Sequence, residues 1–231
     1  MPRDTLTADR IVRAAIELLD DEGLDGLNMR SLAKRLGTAP TAVYWHIKTK
    51  DDLVRLAGDA IWYEVELPDP DAADWRTAAA AHATGMHAML TRHPWLGQAF
   101  GSHLLYGAGQ ARHNDLSLAI YEKAGFAAAD ADRAAATVFT FVLGSTLGPA
   151  SQVSLNRRLN KDGADGEQRM ADAMKRATEI AMQLPRLRER LDTTAATEYA
   201  AAPDDTFAFG LQCLLDGFEA RLAADNARRR R

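Results

Sequence analysis

Between Asn28 and Lys50 the chain carries Arg30, Lys34, Arg35, Lys48 and Lys50 and neither Asp nor Glu, a local charge of +5 in a protein whose formal total is -4. Interleaved with these cations are Thr38, Thr41, Tyr44, Trp45 and His46, groups that hydrogen-bond or stack. A patch of this composition attracts a polyanion, and the polar tips between the charges suit nucleic acid. The distribution matters more than the acidic pI near 5.9. The acids of the N-terminal region sit outside the patch, at Glu17, Asp20, Asp21 and Glu22 and again at Asp51, Asp52 and Asp59. Such a chain should bind DNA through a small face, with weak non-specific affinity.

Local signals place the patch on helices. Thr7 is an N-cap for a first helix, in which Ile11, Ala15, Leu18 and Leu19 recur at helical spacing and which Gly23 ends. Leu24 and Leu27 pack under the next turn. Asn28 caps a second helix whose apolar side is Leu32, Ala33 and Leu36, and Gly37 suits the positive φ that closes it. Thr38 or Ala39 opens a third helix with Pro40 in its first turn, where a missing N–H costs nothing. Two short helices joined by a tight glycine turn form a helix-turn-helix, and the second is the right size for a DNA major groove. Thr49, with Asp52 three residues on, caps a fourth helix bearing Leu53, Leu56, Ala60 and Ile61 and stopping near Glu66, before Pro68 and Pro70. The domain boundary is drawn there, giving residues 1–66 and 67–231.

The stretch from Thr7 to Asp59 resembles the DNA-binding domain of the tetracycline repressor (TetR) family. Ala15, Leu18, Gly23, Leu27, Arg30, Leu32, Ala33, Leu36, Gly37, Tyr44, Trp45, His46, Lys48, Lys50 and Leu53 carry the likeness. The run Tyr44–Lys50 is its most specific part and is close to the tetracycline-repressor subgroup. The resemblance implies a homodimeric regulator that reads a palindrome, and it gives these residues roles. Arg30 would reach a base edge or a phosphate. Pro40, Thr41 and Ala42 would face bases, with Thr38 at the start of the helix. Tyr44, His46 and Lys50 would hold phosphates, Lys48 belongs to the same DNA-binding set, and Trp45 lies either in the core or in the groove. The subgroup has Gln, Pro and Thr where this chain has Pro40, Thr41 and Ala42, so the groove would be shared and the sequence read would differ.

The rest of the chain is predicted to be helical, which makes the fold class all-α. Its composition, rich in Ala, Leu, Arg, Asp and Glu with few β-branched runs, supports this. Helices are expected over 74–92, within 96–109, and over 110–124, 129–147, 168–183 and 207–224, with a bend at His93-Pro94-Trp95 and a polar, mobile loop at 152–167. Helices 129–147 and 207–224 are more apolar than one surface face needs. The resemblance makes them the four-helix dimer contact; a helix buried within one subunit is the alternative. A two-fold dimer would set its reading helices about 34–36 Å apart on a palindromic operator.

Family members use this second domain to bind a small molecule that releases DNA. His82, Met86, Phe100, His103, Tyr106, Asn114, Ser117 and Phe139 mix aromatic and polar groups as ligand pockets do, and as ordinary cores also do. By the resemblance, the His and Glu that hold magnesium–tetracycline fall at Phe100 and Gly148, and a drug-binding Asn and Phe at His82 and Met86. No metal site and no cofactor are expected, and a largely apolar or aromatic inducer is.

Other classes fit less well. The chain has no HExxH or GxSxG, its Gly107-Ala108-Gly109 lacks a third glycine, and His82 and His87 are five apart, so no enzyme is expected. A transcriptional activator, or a low-specificity DNA-binding protein without ligand response, stays open beside the repressor. No apolar stretch is read as approaching the ~20 residues of a membrane span. The N-terminal residues lack a signal-peptide core and Cys213 stands alone, which together point to the cytoplasm and no membrane partner. The chain ends in four arginines, Arg228–Arg231, whose contacts the sequence leaves open.

Overall fold

A computed structural model describes residues 6–71, 73–191 and 203–229. Among them there is no strand, and the fold is all-α. The N-terminal helices are α1 (Ala8–Gly26), α2 (Met29–Leu36), α3 (Pro40–His46) and α4 (Lys50–Ile61), followed by a 3-10 turn (Trp62–Glu64). Then come α5 (Trp75–Arg92), α6 (Pro94–Ala99), α7 (Ala108–Ala124), α8 (Ala128–Asp162), α9 (Ala164–Met182), α10 (Pro185–Leu191) and α11 (Pro203–Arg229).

The caps read from sequence are in place. The Thr7 hydroxyl accepts from Arg10 N–H at 3.2 Å and the Thr49 hydroxyl from Asp52 N–H at 3.0 Å. Gly23 breaks α1 with φ 73° and ψ -174°, and one further turn follows before Leu27. Ile11, Ala15, Leu18 and Leu19 are buried against Leu53, Val54, Ala57 and Ile61 of α4 and Leu32 and Ala33 of α2. The buried face of α4 is therefore rotated from the expected one, and Leu56 and Ala60 are only half-buried. This helix also ends five residues before Glu66, at Ile61, where the chain tightens into the 3-10 turn.

The second half departs from expectation at α8. The helix runs through Pro149 to Asp162, so residues 152–162 are helical and the expected loop shrinks to Gly163. As a result Ala128–Asn160 has the length and composition to cross a bilayer, which corrects the expectation that no apolar stretch comes near it. In this fold the helix is the central strut against which α5, α6, α7 and α11 pack, with Ala131, Ala134, Val138 and Val142 buried. Pro185 opens α10 rather than merely ending α9.

Candidate functional site

The turn between α2 and α3 is built by backbone bonds. Asn28 Oδ1 accepts from Ser31 N–H at 2.9 Å and Arg30 N–H at 3.0 Å, while Ser31 Oγ accepts from Asn28 N–H at 3.2 Å. This reciprocal cap fixes where α2 starts. At its other end Gly37 adopts φ 65°, ψ 33°, and the N–H groups of Gly37 and Thr38 return to the carbonyls of Lys34 and Ala33. Leu32, Ala33 and Val43 are buried between the helices, which fixes the outward face of α3. Pro40, Thr41, Tyr44, Trp45 and His46 are exposed there, with Thr38 and Ala42 half-buried at its edge. Trp45 is 81% exposed, so it does not lie in the core.

The five cations separate into two groups. Arg35 pairs with Asp21 and with Glu17 at 3.6 Å, and the Lys50 ammonium donates to Leu24 O at 2.7 Å. Arg35 therefore ties α2 to α1, and Lys50 ties the start of α4 to α1, so Lys50, expected to reach a phosphate, is turned inward. Arg30 and Lys34 are exposed. Lys48 donates to Tyr44 O at 3.0 Å and lies over the Trp45 ring, 5.7 Å from its centroid, which satisfies a carbonyl at the end of α3 while keeping the charge at the surface.

Behind this face the expected ligand residues separate as well. His82 and Met86 are buried on α5, and Ser117 and Phe139 are half-buried on α7 and α8. Phe100 meets Phe139 edge-on at 5.7 Å. His82, Ser117 and Phe139 converge on two residues the sequence does not single out, His113 and Trp62. The His113 ring lies 5.1 Å from the Trp62 ring and is stacked on His82 at 5.2 Å, and Phe139 lies 6.3 Å from Trp62. The remaining three do not join them. Tyr106 is 60% exposed and Asn114 is exposed, while His103 bonds Ser102 at 3.0 Å and faces Asp51 at 3.5 Å. Asn114 is one step of the helix from His113, so the inward position belongs to His113, four residues before Ser117. That spacing is the signal that would have found it.

The histidines form a ladder whose proton positions follow from its end. Trp62 O only accepts, so His113 Nε2, 2.8 Å away, must donate. A neutral His113 then presents a bare Nδ1, so His82 Nε2, 3.0 Å from it, donates. His82 Nδ1 is left to accept from the Ser117 hydroxyl at 3.3 Å. Neutrality agrees with the surroundings. Burial, with the neighbouring His113, lowers the His82 pKa from its ordinary value to about 4, and burial lowers that of His113. One turn earlier on α7, the buried Gln110 Oε1 has no hydrogen-bond partner among the described residues.

Two surface clefts flank α5, and neither contains this cluster. One of about 400 Å³ is lined by Val65, Leu67, Gly85 and Met89, and one of about 670 Å³ by Thr84, His87, Phe207 and Leu211. At the two positions aligned with magnesium–tetracycline ligands, Phe100 packs on an aromatic ring and Gly148 is exposed.

Comparison with known proteins places both halves. Residues 11–57 match the family described as bacterial regulatory proteins, tetR family, and residues 67–222 match the tetracyclin repressor-like C-terminal domain. The transcriptional repressor DrrR1 of Streptomyces coeruleorubidus is 31% identical over 96% of this chain and 80% of its own length. The class C tetracycline repressor protein of Escherichia coli is 31% identical over 93% of this chain and 91% of its own. An HTH-type transcriptional regulator of Saccharopolyspora erythraea is 40% identical, and the match spans 59% of that relative's length. Among solved structures, Streptomyces coelicolor ActR in complex with actinorhodin superposes with a TM-score of 0.70 at 25% identity, over 94% of this chain and 97% of that one.

Proposed function

The chain belongs to the tetracycline-repressor family of bacterial regulatory proteins, and from that premise we propose that it is a cytoplasmic, non-catalytic, ligand-released repressor acting as a homodimer. The observation that carries the reading is the face of α3, where Thr41, Tyr44, Trp45 and His46 stand exposed beside Lys48 on a turn rigidly closed at Gly37. Large polar and aromatic groups held outward on a short helix fit a major groove. Pro40 and Ala42 are placed to touch thymine methyls, Thr41 a base or a phosphate, and Tyr44 and His46 phosphates. Arg30 stands at the N-terminal end of α2 for a base edge or phosphate.

Pairing is supported by what the single chain leaves uncovered. On α8, Ala136, Thr140, Gly144 and Gly148 are exposed at helical spacing; on α11, Phe209, Cys213, Gly217 and Ala220 are. A Cβ added at Gly144, Gly148 or Gly217 would meet open space, so another helix can approach closely there. A second copy through helices 129–147 and 207–224 covers both stripes and sets two α3 helices on a palindromic operator.

For the inducer, the cluster around His82, Met86, Phe100, Ser117, His113 and Phe139 favours an aromatic molecule with one or two hydrogen-bonding groups. Phe100 and Gly148 offer no metal ligand, which argues against magnesium–tetracycline. Actinorhodin, held by ActR, is the first compound to try. Ligand would act by shifting the balance between DNA-competent and released dimers, with a typical coupling of roughly 1–3 kcal/mol.

The test is selection of bound DNA from a random duplex pool at near-physiological salt. Recovery of one palindrome is expected and becomes the probe for ligands that release it. Recovery of no common sequence would sink the site-specific reading.

A further inference from the structure

Helix α1, which carries α2 on one side and α4 on the other, meets the regulatory core at a buried imidazole. His93, at the break between α5 and α6, is 4% exposed. Its Nδ1 lies 2.8 Å from Asp20 Oδ1 on α1, and its Nε2 lies 3.2 Å from Glu64 Oε2 in the turn after α4. An ionised carboxylate only accepts, so both ring nitrogens must carry hydrogen for both bonds to form, and the ring is then an imidazolium. The other groups around it reinforce the same arrangement. Asp20 Oδ1 also accepts from Trp95 Nε1 at 2.8 Å, and Glu64 Oε2 from Arg92 Nη1 at 2.7 Å. From α8, Arg157 donates to the backbone carbonyl of Asp20. The charged groups that face or back the ring are thus two carboxylates, one from each side, with Arg92 behind Glu64 and Arg157 behind Asp20.

We propose that charged His93 is a positioning residue for DNA binding: by bridging Asp20 and Glu64 it ties α1 to the end of α4 and fixes the helix-turn-helix on the regulatory core. The proposal rests on α2 and α3 being the DNA-reading pair. Its signature is electrostatic. Burial alone lowers the pKa of the ring, but its hydrogen bonds to Asp20 and Glu64 outweigh it and hold the pKa above its ordinary value. A base whose folded pKa is raised contributes its full bridge below the unfolded value of about 6.5 and loses it as pH rises through the raised one. Above that point one ring nitrogen turns a lone pair toward a carboxylate, and that arm of the bridge opens. The reading domain is then held to the core by fewer contacts, without any change in the residues that touch DNA.

The decisive measurement needs no DNA. The chain has four Trp, and the Trp95 indole N–H, identified by Trp95→Phe, reports on Asp20 directly. In protein labelled with nitrogen-15 at Trp, followed from about pH 6 to about pH 9.5, the Trp95 signal should show one inflection above about 6.5. That inflection should vanish in His93→Gln and move to lower pH in Glu64→Gln, which serves alone if the first variant does not fold. Amide exchange of residues 8–26, taken relative to residues 108–124 in the same sample, should rise through the same inflection. A Trp95 signal that does not titrate, or that titrates identically in both variants, overturns the proposal. So does a titrating signal with a flat exchange ratio, because His93 would then position nothing. With the selected duplex, affinity should fall severalfold through the inflection in the wild type and be pH-independent over that range in His93→Gln. If no duplex is ever selected, the regulator reading has failed, and the two DNA-free measurements still decide whether His93 holds α1.

Discussion

The Asp59 carboxylate, in the last turn of α4, accepts the backbone N–H of Gly109 in the first turn of α7 at 2.8 Å. The Gln110 N–H points at the same oxygen from 3.3 Å. The first N–H groups of a helix lack partners within it, and its N-terminus carries partial positive charge. A carboxylate from α4 therefore caps α7, the helix that carries His113 and Ser117. The end of the DNA-reading domain and the floor of the histidine ladder are joined by a short, charge-assisted contact.

Gly109→Ala should break that joint. A Cβ there would meet the backbone oxygen of Asp59 at 2.5 Å and Tyr63 Cε2 at 2.9 Å. The first of these is main chain and cannot swing aside, so α4 and α7 must separate. The expected cost is about 1–3 kcal/mol, read as a lower thermal midpoint. DNA affinity should fall as well, since α4 supports α1 and the reading pair. An unchanged midpoint would show that α7 shifts freely and that the contact does not couple the two halves.

The helix-turn-helix is legible in sequence because each of its boundaries is set by a neighbour within a few residues. Thr7, Asn28, Gly37, Pro40 and Thr49 all do in the structure what their types predict. The error at α8 is of another kind. Residues 152–167 are polar and contain Gly163 and Gly166, so local pattern predicts a loop, and the helix must also pass Pro149, which lacks an N–H. The helix persists because its continuation is held from afar, by Gln98 bonding Ser154 and Arg157 bonding the Asp20 carbonyl. No local pattern carries contacts across 56 or 137 residues of sequence. The ligand cluster shows the same limit at smaller scale. Asn114 and Tyr106 have suitable chemistry but face outward; the spacing to Ser117 points to His113, while Trp62 joins the cluster only once the turn after α4 is packed against α7 and α8.

Trp45→Ala should separate DNA binding from stability. The side chain is 81% exposed and supports no core contact, so the thermal midpoint should change by less than the equivalent of about 0.5 kcal/mol. Affinity for the selected duplex should fall by roughly tenfold, the order of 1.4 kcal/mol, because a large aromatic leaves the groove face and Lys48 loses the ring beneath it. Titration of a labelled duplex against both proteins checks this. Equal affinity would place Trp45 outside the contact and return the specificity to Thr41 and its neighbours.

Acid should weaken the regulatory core through the histidine ladder, opposite in sign to His93. The His82 pKa is about 4 in the folded protein against about 6.5 unfolded, so between those values the unfolded chain binds more protons. Stability then rises with pH across that window and is lost on acidification, by on the order of 3 kcal/mol for full expression of the shift. The lowered pKa of His113 acts in the same direction. The ladder accepts one proton at most without setting two N–H groups against each other. Denaturant unfolding at about pH 7 and about pH 4.5 should show this difference, and His82→Asn should flatten it. An equal slope in the variant would assign the acid sensitivity to carboxylates elsewhere, Asp74 and Asp130 first, since hydrogen bonds from Thr77 and Arg133 hold their pKa values low.

Phe209→Glu should yield a folded protein that no longer pairs. In the single chain Phe209 is 73% exposed while its neighbours Phe207 and Leu211 are buried against the core, so a carboxylate at 209 disturbs nothing within the protomer. Its cost appears only if a second α11 covers it, where an unpaired charge would be driven out of water. Sedimentation should therefore report monomer for the variant and dimer for the wild type, with unchanged helical content by circular dichroism. Affinity for a palindrome should drop far more than any change in α3 contacts explains, because one protomer reaches only one half-site. A variant that still sediments as a dimer would move the contact away from α11, and the exposed Gly144–Gly148 stripe of α8 would have to carry it alone.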